Sequence, residues 1–284
     1  MYLQHFGLHE LPFGLTPDTA FAFATRSHQE ALNTLLVASD GGEGFIKITG
    51  EVGTGKTLLC RRFLASLPAN CLSCYLPNPS HTPRTLLFAL AEELGHTLPA
   101  AATEYQLLRR INRALIDLAA QDRRVVVCVD EAQALKPASL EMLRLLSNLE
   151  TEKRKLMQLV LFGQPELDER LAKADLRQLR QRIAFHHRLG TMQRDELRAY
   201  LAHRLHVAGH RGAAALFDDA AIAALQRASG GTPRVVNILA HKSLLAAFGA
   251  GSAIVDRGHV RSAARDTAEP QRTGFLGVWR WLLP

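Results

Sequence analysis

The chain lacks most features that would place it outside a cell or across a membrane. Its start, Met1 to Phe6, has no basic stretch followed by an apolar core, so no secretory leader is expected. The longest weakly polar run, Leu244 to Val255, is too short to span a bilayer and is broken by Gly249, Gly251 and Ser252. There are four cysteines, Cys60, Cys71, Cys74 and Cys128. Cys71 and Cys74 form a CxxC, but no second CxxC or spaced histidine pair completes a metal site. They read as reduced thiols on a strand, which suits a cytoplasmic protein. His186-His187 and the other histidines show no ligand spacing and read as ordinary surface or lid residues. Neither a Ser/His/Asp nucleophile arrangement, nor a low-complexity tract, nor a fixed repeat is present.

What is present is a chain of 284 residues, 47% apolar, long enough for one large domain and a small one. The formal charge is +7, which admits anionic partners without choosing among nucleotide, nucleic acid and lipid. The positive excess concentrates between Arg170 and Arg211, with ten Lys/Arg against Asp175, Asp195 and Glu196.

Hydrophobic spacing predicts a helix near His28 to Ser39, with Ala31, Leu32, Leu35 and Leu36 on one face. Strands are predicted at Phe45–Thr49, Cys71–Leu76, Val125–Val129 and Met157–Phe162. Helices are predicted from Lys56, over Thr82–Leu94, Glu104–Ala120 and Pro137–Glu150. Alternating strands and helices imply a parallel sheet with helices on both faces. After about Leu189 only helices follow, near 194–208, 218–228, 232–248 and 257–266. The expected division is 1–42 for an aromatic lead-in and helix, 43–190 for an α/β nucleotide-binding domain, 191–266 for a small helical lid and 267–284 for a tail.

Gly50-Glu51-Val52-Gly53-Thr54-Gly55-Lys56-Thr57 matches GxxxxGK[ST] between a predicted strand and a predicted helix. Glycines there let the backbone turn its N–H groups onto phosphates, and the first helical turn, running through Leu58, adds partial positive charge. Lys56 would reach the β- and γ-phosphates of ATP, and the Thr57 hydroxyl would face Mg²⁺. Val125 to Val129 then delivers Asp130 and Glu131 to the carboxyl end of a central strand. Alone, an acidic pair after a strand is equally a helix cap. Beside a P-loop, Asp130 reads as the Mg²⁺ partner and Glu131 as the residue that activates water. Asp130-Glu131-Ala132-Gln133 also looks like the DEAQ box of some helicases, but the other helicase motifs are missing.

These residues, with the helical segment after them, resemble the AAA+ ATPase family. The resemblance implies a sensor role for Gln164 in Gly163-Gln164-Pro165-Glu166-Leu167, where many members carry Asn or Thr. It implies an arginine finger in Leu179-Arg180-Gln181-Arg182-Ile183, with Arg182 first and Arg180 or Arg177 as alternatives. It implies a second sensor, Arg234, in Gly231-Thr232-Pro233-Arg234. More narrowly, Phe6-Gly7-Leu8, Pro12-Phe13, Leu15-Thr16-Pro17-Asp18, His28 with Glu30-Ala31-Leu32, the P-loop, and the segments at 163–167 and 179–183 resemble the ExeA/GspA group. That group serves type II secretion and type IV pilus systems. The resemblance covers roughly residues 1 to 266 and implies a homo-oligomeric ATPase that supports assembly of such machinery. GspA-type proteins continue into a membrane helix and a periplasmic region, which are not expected in this chain. Phe275, Leu276, Val278, Trp279, Trp281, Leu282 and Leu283 make an apolar end that could lie on the inner membrane or dock on protein. The rival expectations are a DNA-acting AAA+ protein, such as a transposition helper or initiator-like ATPase, and a scaffold that senses nucleotide without hydrolysing it.

Overall fold

The computed structural model describes residues 2–16, 18, 20–77, 82–150, 155–212 and 215–268. In chain order the elements are α1 (Tyr2–His5), α2 (Arg26–Asp40), β1 (Phe45–Thr49), α3 (Lys56–Ala65), β2 (Cys71–Leu76), α4 (Pro83–Glu93), α5 (Glu104–Ala120), β3 (Arg124–Val129) and α6 (Pro137–Leu146). They continue as β4 (Met157–Gly163), α7 (Glu166–Leu171), α8 (Arg177–Arg182), β5 (Ile183–Arg188), α9 (Arg194–Val207), α10 (Asp219–Ser229), α11 (Pro233–Gly249) and α12 (Arg257–Ala268). They form two compact units, one of residues 24–190 and one that joins residues 1–23 to those from 191 onward.

The first unit is a five-stranded, wholly parallel sheet in the order β2-β3-β4-β1-β5. Alternation along β3 shows why both faces are covered. Val125, Val127 and Val129 pack with Leu87 and Leu90 of α4, Ile111 and Leu115 of α5, and Leu140 and Leu143 of α6. Val126 and Cys128 point the other way, to Leu32 and Leu35 of α2 and Leu59 and Phe63 of α3. Every residue of β4 is buried.

Two features depart from the sequence expectations, the fifth strand and the end of α6, while the cysteine pair stands on a strand as expected. A fifth strand, β5, pairs in parallel with β1. Its inward positions are only half covered, and its outward ones include His186 and Arg188. It lies at an edge of the sheet and never shows the apolar run of an inner strand. Helix α6 ends at Leu146, four residues before the expected Glu150, where Ser147 turns its hydroxyl back to the Arg144 carbonyl at 2.7 Å. Cys71 and Cys74 lie three apart on β2, hence on opposite faces, and both are free thiols. Burial, with a smaller contribution from Glu93, pushes the Cys74 thiol up to about 12.

The second unit packs α9 to α12 around Leu197, Leu201, Leu225, Val236, Leu239 and Leu244. The aromatic lead-in, expected as part of a separate 1–42 segment, contributes Phe6, Leu8, Phe13 and Phe21 to this core, while α2 stays with the sheet. A buried polar chain ties it down. Arg204 on α9 donates Nε to the Pro12 carbonyl at 2.5 Å and one terminal nitrogen to the Tyr200 hydroxyl at 3.0 Å, and it lies 4.9 Å from the centre of the Phe21 ring. Tyr200 donates in turn to Asn237 Oδ1 at 2.7 Å, and the Asn237 amide donates to the Gly14 carbonyl at 3.3 Å. At Gly231, φ is +73° and a Cβ would stand 2.1 Å from the Met192 carbonyl, so only glycine fits.

Among the described residues no helix is long and apolar enough to cross a membrane, and no group of three His, Cys, Asp or Glu could hold a metal ion. The apolar tail lies outside the described residues.

Arg204→Ala removes the side chain that, among the described residues, binds Pro12 and Tyr200 together. It is expected to lower stability by about 2–3 kcal/mol and to make the lead-in more sensitive to limited proteolysis. Urea unfolding with a loss below about 0.5 kcal/mol would show that the lead-in is held by its aromatic residues alone.

Candidate functional site

The site is built at the carboxyl ends of β1, β3 and β4. Because β4 lies between β1 and β3, a residue just past β4 stands between the loop after β1 and the acids after β3.

The loop after β1 runs from Gly50 to Gly55. Gly50 donates its N–H to the Gly163 carbonyl at 3.2 Å, anchoring the loop to the end of β4. Gly53 and Gly55 have φ of +81° and +92°, a region side chains rarely adopt. Gly55 is the N-cap of α3 and offers no capping side chain. The first-turn N–H groups of Lys56, Thr57 and Leu58 are therefore left to an external acceptor, beside the positive end of the helix. Val52 is exposed at the loop tip, and Thr54 is buried, its hydroxyl donating to the Glu51 carbonyl at 2.8 Å.

Lys56 is buried, and its ammonium donates to the Gly50 carbonyl at 2.7 Å and the Glu51 carbonyl at 2.9 Å. Burial holds its pKa below the usual lysine value, while Glu131, Asp130, Glu51 and Glu166 pull it back up. The result is a desolvated cation facing a group of carboxylates.

Asp130 is buried at the end of β3 and fully engaged. Its Oδ2 accepts from the Thr57 hydroxyl at 2.7 Å and the Tyr75 hydroxyl at 3.2 Å, and its Oδ1 accepts the Glu131 N–H at 2.9 Å. The Tyr75 hydroxyl is pushed well above its ordinary pKa, by burial first and by Asp130 second. The adjoining hydroxyl and carboxylate of Thr57 and Asp130 are the hard oxygen donors that suit Mg²⁺.

Glu131 sits at φ 51° and ψ 37°, a left-handed conformation uncommon for a residue other than glycine, asparagine or aspartate. Its Oε2 accepts the side-chain amide N–H groups of Gln133 and, at 3.1 Å, of Gln164. Gln133 Oε1 accepts the Gln164 backbone N–H at 3.0 Å. Two amides thus aim one carboxylate.

The structure therefore brings together Lys56, Thr57, Asp130, Glu131 and Gln164. Within the same unit it does not bring in Arg177, Arg180 or Arg182. Arg182 closes α8 on the surface and donates to the Ser147 hydroxyl at 3.3 Å. Arg177 and Arg180 are exposed, and their side chains make no hydrogen bond or ion pair among the described residues. Arg234 is exposed in the first turn of α11, in the helical unit. Three participants carry no role in the sequence reading: Tyr75, Gln133 and His28. Tyr75 could be placed from strand pairing, since it lies opposite Cys128 near the end of β3. Gln133 follows Glu131 by two residues, but its clamp depends on Gln164. His28, quoted in the sequence only as part of the family resemblance, bonds the Thr54 carbonyl 26 residues away, a contact that no local pattern announces.

The sheet order and the loop are those of an AAA-like P-loop fold, with a helical unit after it in the sequence. Residues 39–171 match the family model described as AAA domain. The chain is 41% identical over 268 residues to general secretion pathway protein A of Aeromonas hydrophila, an alignment that takes in 94% of this chain and 49% of that one, so the chain spans about half its relative's length. Among solved structures, Cdc6p from Pyrobaculum aerophilum superposes with a TM-score of 0.66 at 16% identity, covering 88% of this chain and 71% of that one. The ORC2 protein of Aeropyrum pernix, in its ADPNP-ADP complexes, gives 0.62 at 16% identity, covering 89% and 72%. At such identity these two likenesses concern the fold alone.

Lys56→Met keeps the length of the side chain and removes the buried charge. The nucleotide-free variant is expected to melt no lower than the parent at neutral pH, while affinity for ATP falls at least about tenfold. The folded-state pKa of Lys56 lies below its unfolded value, so raising pH through it favours the folded parent. Any melting advantage of the variant should therefore shrink at alkaline pH. A variant that melts markedly lower throughout would mean that the two carbonyl bonds outweigh desolvation.

Proposed function

We propose that the chain binds ATP with Mg²⁺ at the loop 50–57 and hydrolyses it, as an assembly ATPase of a secretion or pilus system. The observation that carries this reading is the 2.7 Å bond between the Thr57 hydroxyl and the Asp130 carboxylate beside buried Lys56. It joins the loop after β1 to the acids after β3.

In this reading the N–H groups of the glycine loop and of Lys56, Thr57 and Leu58 receive the phosphates, and the Lys56 ammonium leaves its carbonyl partners for phosphate oxygens. Bound Mg²⁺ would neutralise charge on the phosphate oxygens, held from the protein side by Thr57 and Asp130. Glu131 takes a proton from the attacking water, with its carboxylate oriented by Gln133 and Gln164. Arg182, or Arg180 or Arg177 in its place, reaches the nucleotide of a second copy in a homo-oligomeric ring or arc, and Arg234 reports nucleotide state from the helical unit. The similarity to general secretion pathway protein A supports service to type II secretion. The motifs shared with the ExeA/GspA group extend it to type IV pili, in the manner of MshM, the ATPase associated with the mannose-sensitive haemagglutinin pilus. The work would be done in the cytoplasm, with the apolar tail as a contact to the inner membrane or to a partner.

Steady-state hydrolysis is expected to depend on Mg²⁺ and to fall about 100-fold or more in Glu131→Gln with ATP affinity retained. Assays with DNA and with anionic vesicles would show which additive stimulates turnover. Tight binding of ATP without turnover under every condition would replace the motor with a nucleotide-sensing scaffold.

A further inference from the structure

His28 stands in the first turn of α2 and touches the phosphate loop from behind. Thr25, the N-cap of α2, accepts the His28 backbone N–H at 3.3 Å and shares a 2.6 Å hydrogen bond with the ring Nδ1. The other ring nitrogen, Nε2, lies 2.8 Å from the Thr54 carbonyl oxygen. A carbonyl only accepts, so Nε2 carries the proton, and in the neutral ring the Thr25 hydroxyl donates to Nδ1.

The consequence falls on the next peptide group. In a trans peptide the C=O and the following N–H point in opposite directions. Holding the Thr54 carbonyl toward His28 therefore turns the Gly55 N–H to the opposite side of the loop. Gly55 allows this approach in two ways. Its φ is +92°, and a Cβ there would stand 2.8 Å from His28 Nε2. The imidazole occupies the space a side chain would need, and the contact is as close as a glycine permits.

We propose that His28 is a positioning residue for the phosphate loop, fixing the Thr54–Gly55 peptide so that the Gly55 N–H is presented to a nucleotide phosphate. This rests on the nucleotide reading above. The role is in binding: Lys56, Asp130 and Glu131 keep their own partners when His28 is changed, so loss of the imidazole should weaken nucleotide affinity and leave the chemical step nearly alone.

The test uses the full chain and four readouts: affinity for the fluorescent analogue mant-ATP, KM and kcat for MgATP, and the melting temperature without nucleotide. His28→Ala and His28→Phe are expected to raise Kd and KM about tenfold, with kcat within about twofold. His28→Gln offers an amide N–H near the place of Nε2 and is expected to bring both back to within about threefold of the parent. His28→Phe fills the ring's volume without its donor, which separates packing from the hydrogen bond. If KM is unchanged in His28→Ala and His28→Phe, or if His28→Gln is as impaired as His28→Ala, the positioning role falls while the ATPase reading stands. A drop in melting temperature with KM unchanged identifies His28 as a helix-stabilising residue only. A parent chain that binds no mant-ATP overturns both readings together.

Discussion

An ammonium group taken out of water must be met by carbonyls and negative charge, and the nucleotide site is arranged around that demand. Lys56 is buried, and burial lowers its pKa. What keeps it cationic comes from several strand ends: the Gly50 and Glu51 carbonyls after β1, Asp130 and Glu131 after β3, and Glu166 after β4. A parallel sheet delivers all of these to one edge because every strand runs the same way. An antiparallel sheet of the same residues would scatter them to two edges. The buried charge therefore depends on the topology. Replacing carbonyl partners by phosphate oxygens would improve the match, since an anion answers the ammonium better than neutral dipoles do.

Geometry at Glu131 is the counterpart. A left-handed conformation at a non-glycine residue costs about 1–2 kcal/mol and persists only where neighbours fix it. Here the Asp130 carboxylate holds the Glu131 N–H, and two amides hold the Glu131 carboxylate. Gln133 and Gln164 are also bonded to each other. The amides are neutral, so they aim the carboxylate without drawing off its charge as an arginine or lysine would. A glutamine at position 164 is thus more than a tolerated variant of Asn or Thr. Its longer side chain reaches the carboxylate while its backbone N–H meets Gln133.

Much of this was legible in the sequence wherever the cause was local. The bounds of β1, β2 and α5 and the start of α3 followed from hydrophobic period and a glycine loop, all within a few residues of the element they define. Lys56 and Thr57 were legible from the glycine motif that opens α3, and Asp130 and Glu131 from the end of β3, while Gln164 entered through the family resemblance. The failures share one cause. β5 borrows its place from β1 and, half covered, carries polar residues at several positions. The lead-in looked like a broken, aromatic segment because its burial depends on Tyr200, Arg204 and Asn237, some two hundred residues away. His28 and Tyr75 act on atoms 26 and 55 positions distant. Composition and spacing carry no information about such partners.

The positive charge teaches the same lesson about counting residues. The run from Arg170 to Arg211 reads as one basic stretch, yet it is divided between the two units. Several of its arginines are engaged in hydrogen bonds within the protein. Arg170 donates to the Leu135 carbonyl, Arg182 to the Ser147 hydroxyl, Arg198 to the Asp219 carboxylate, and buried Arg204 to the Pro12 carbonyl. A guanidinium is suited to this because its planar fork can satisfy several acceptors at once, whereas a lysine offers a single point charge. An arginine engaged in this way holds loops and helix ends in place; a neutral carbonyl or hydroxyl leaves its charge intact, whereas a carboxylate, as Asp219 does for Arg198, offsets it. The count of basic residues thus overstates how many of these guanidinium groups have all their N–H donors free for phosphate. The arginines left without partners among the described residues, Arg177 and Arg180 on α8, lie in the segment where the resemblance places an arginine finger.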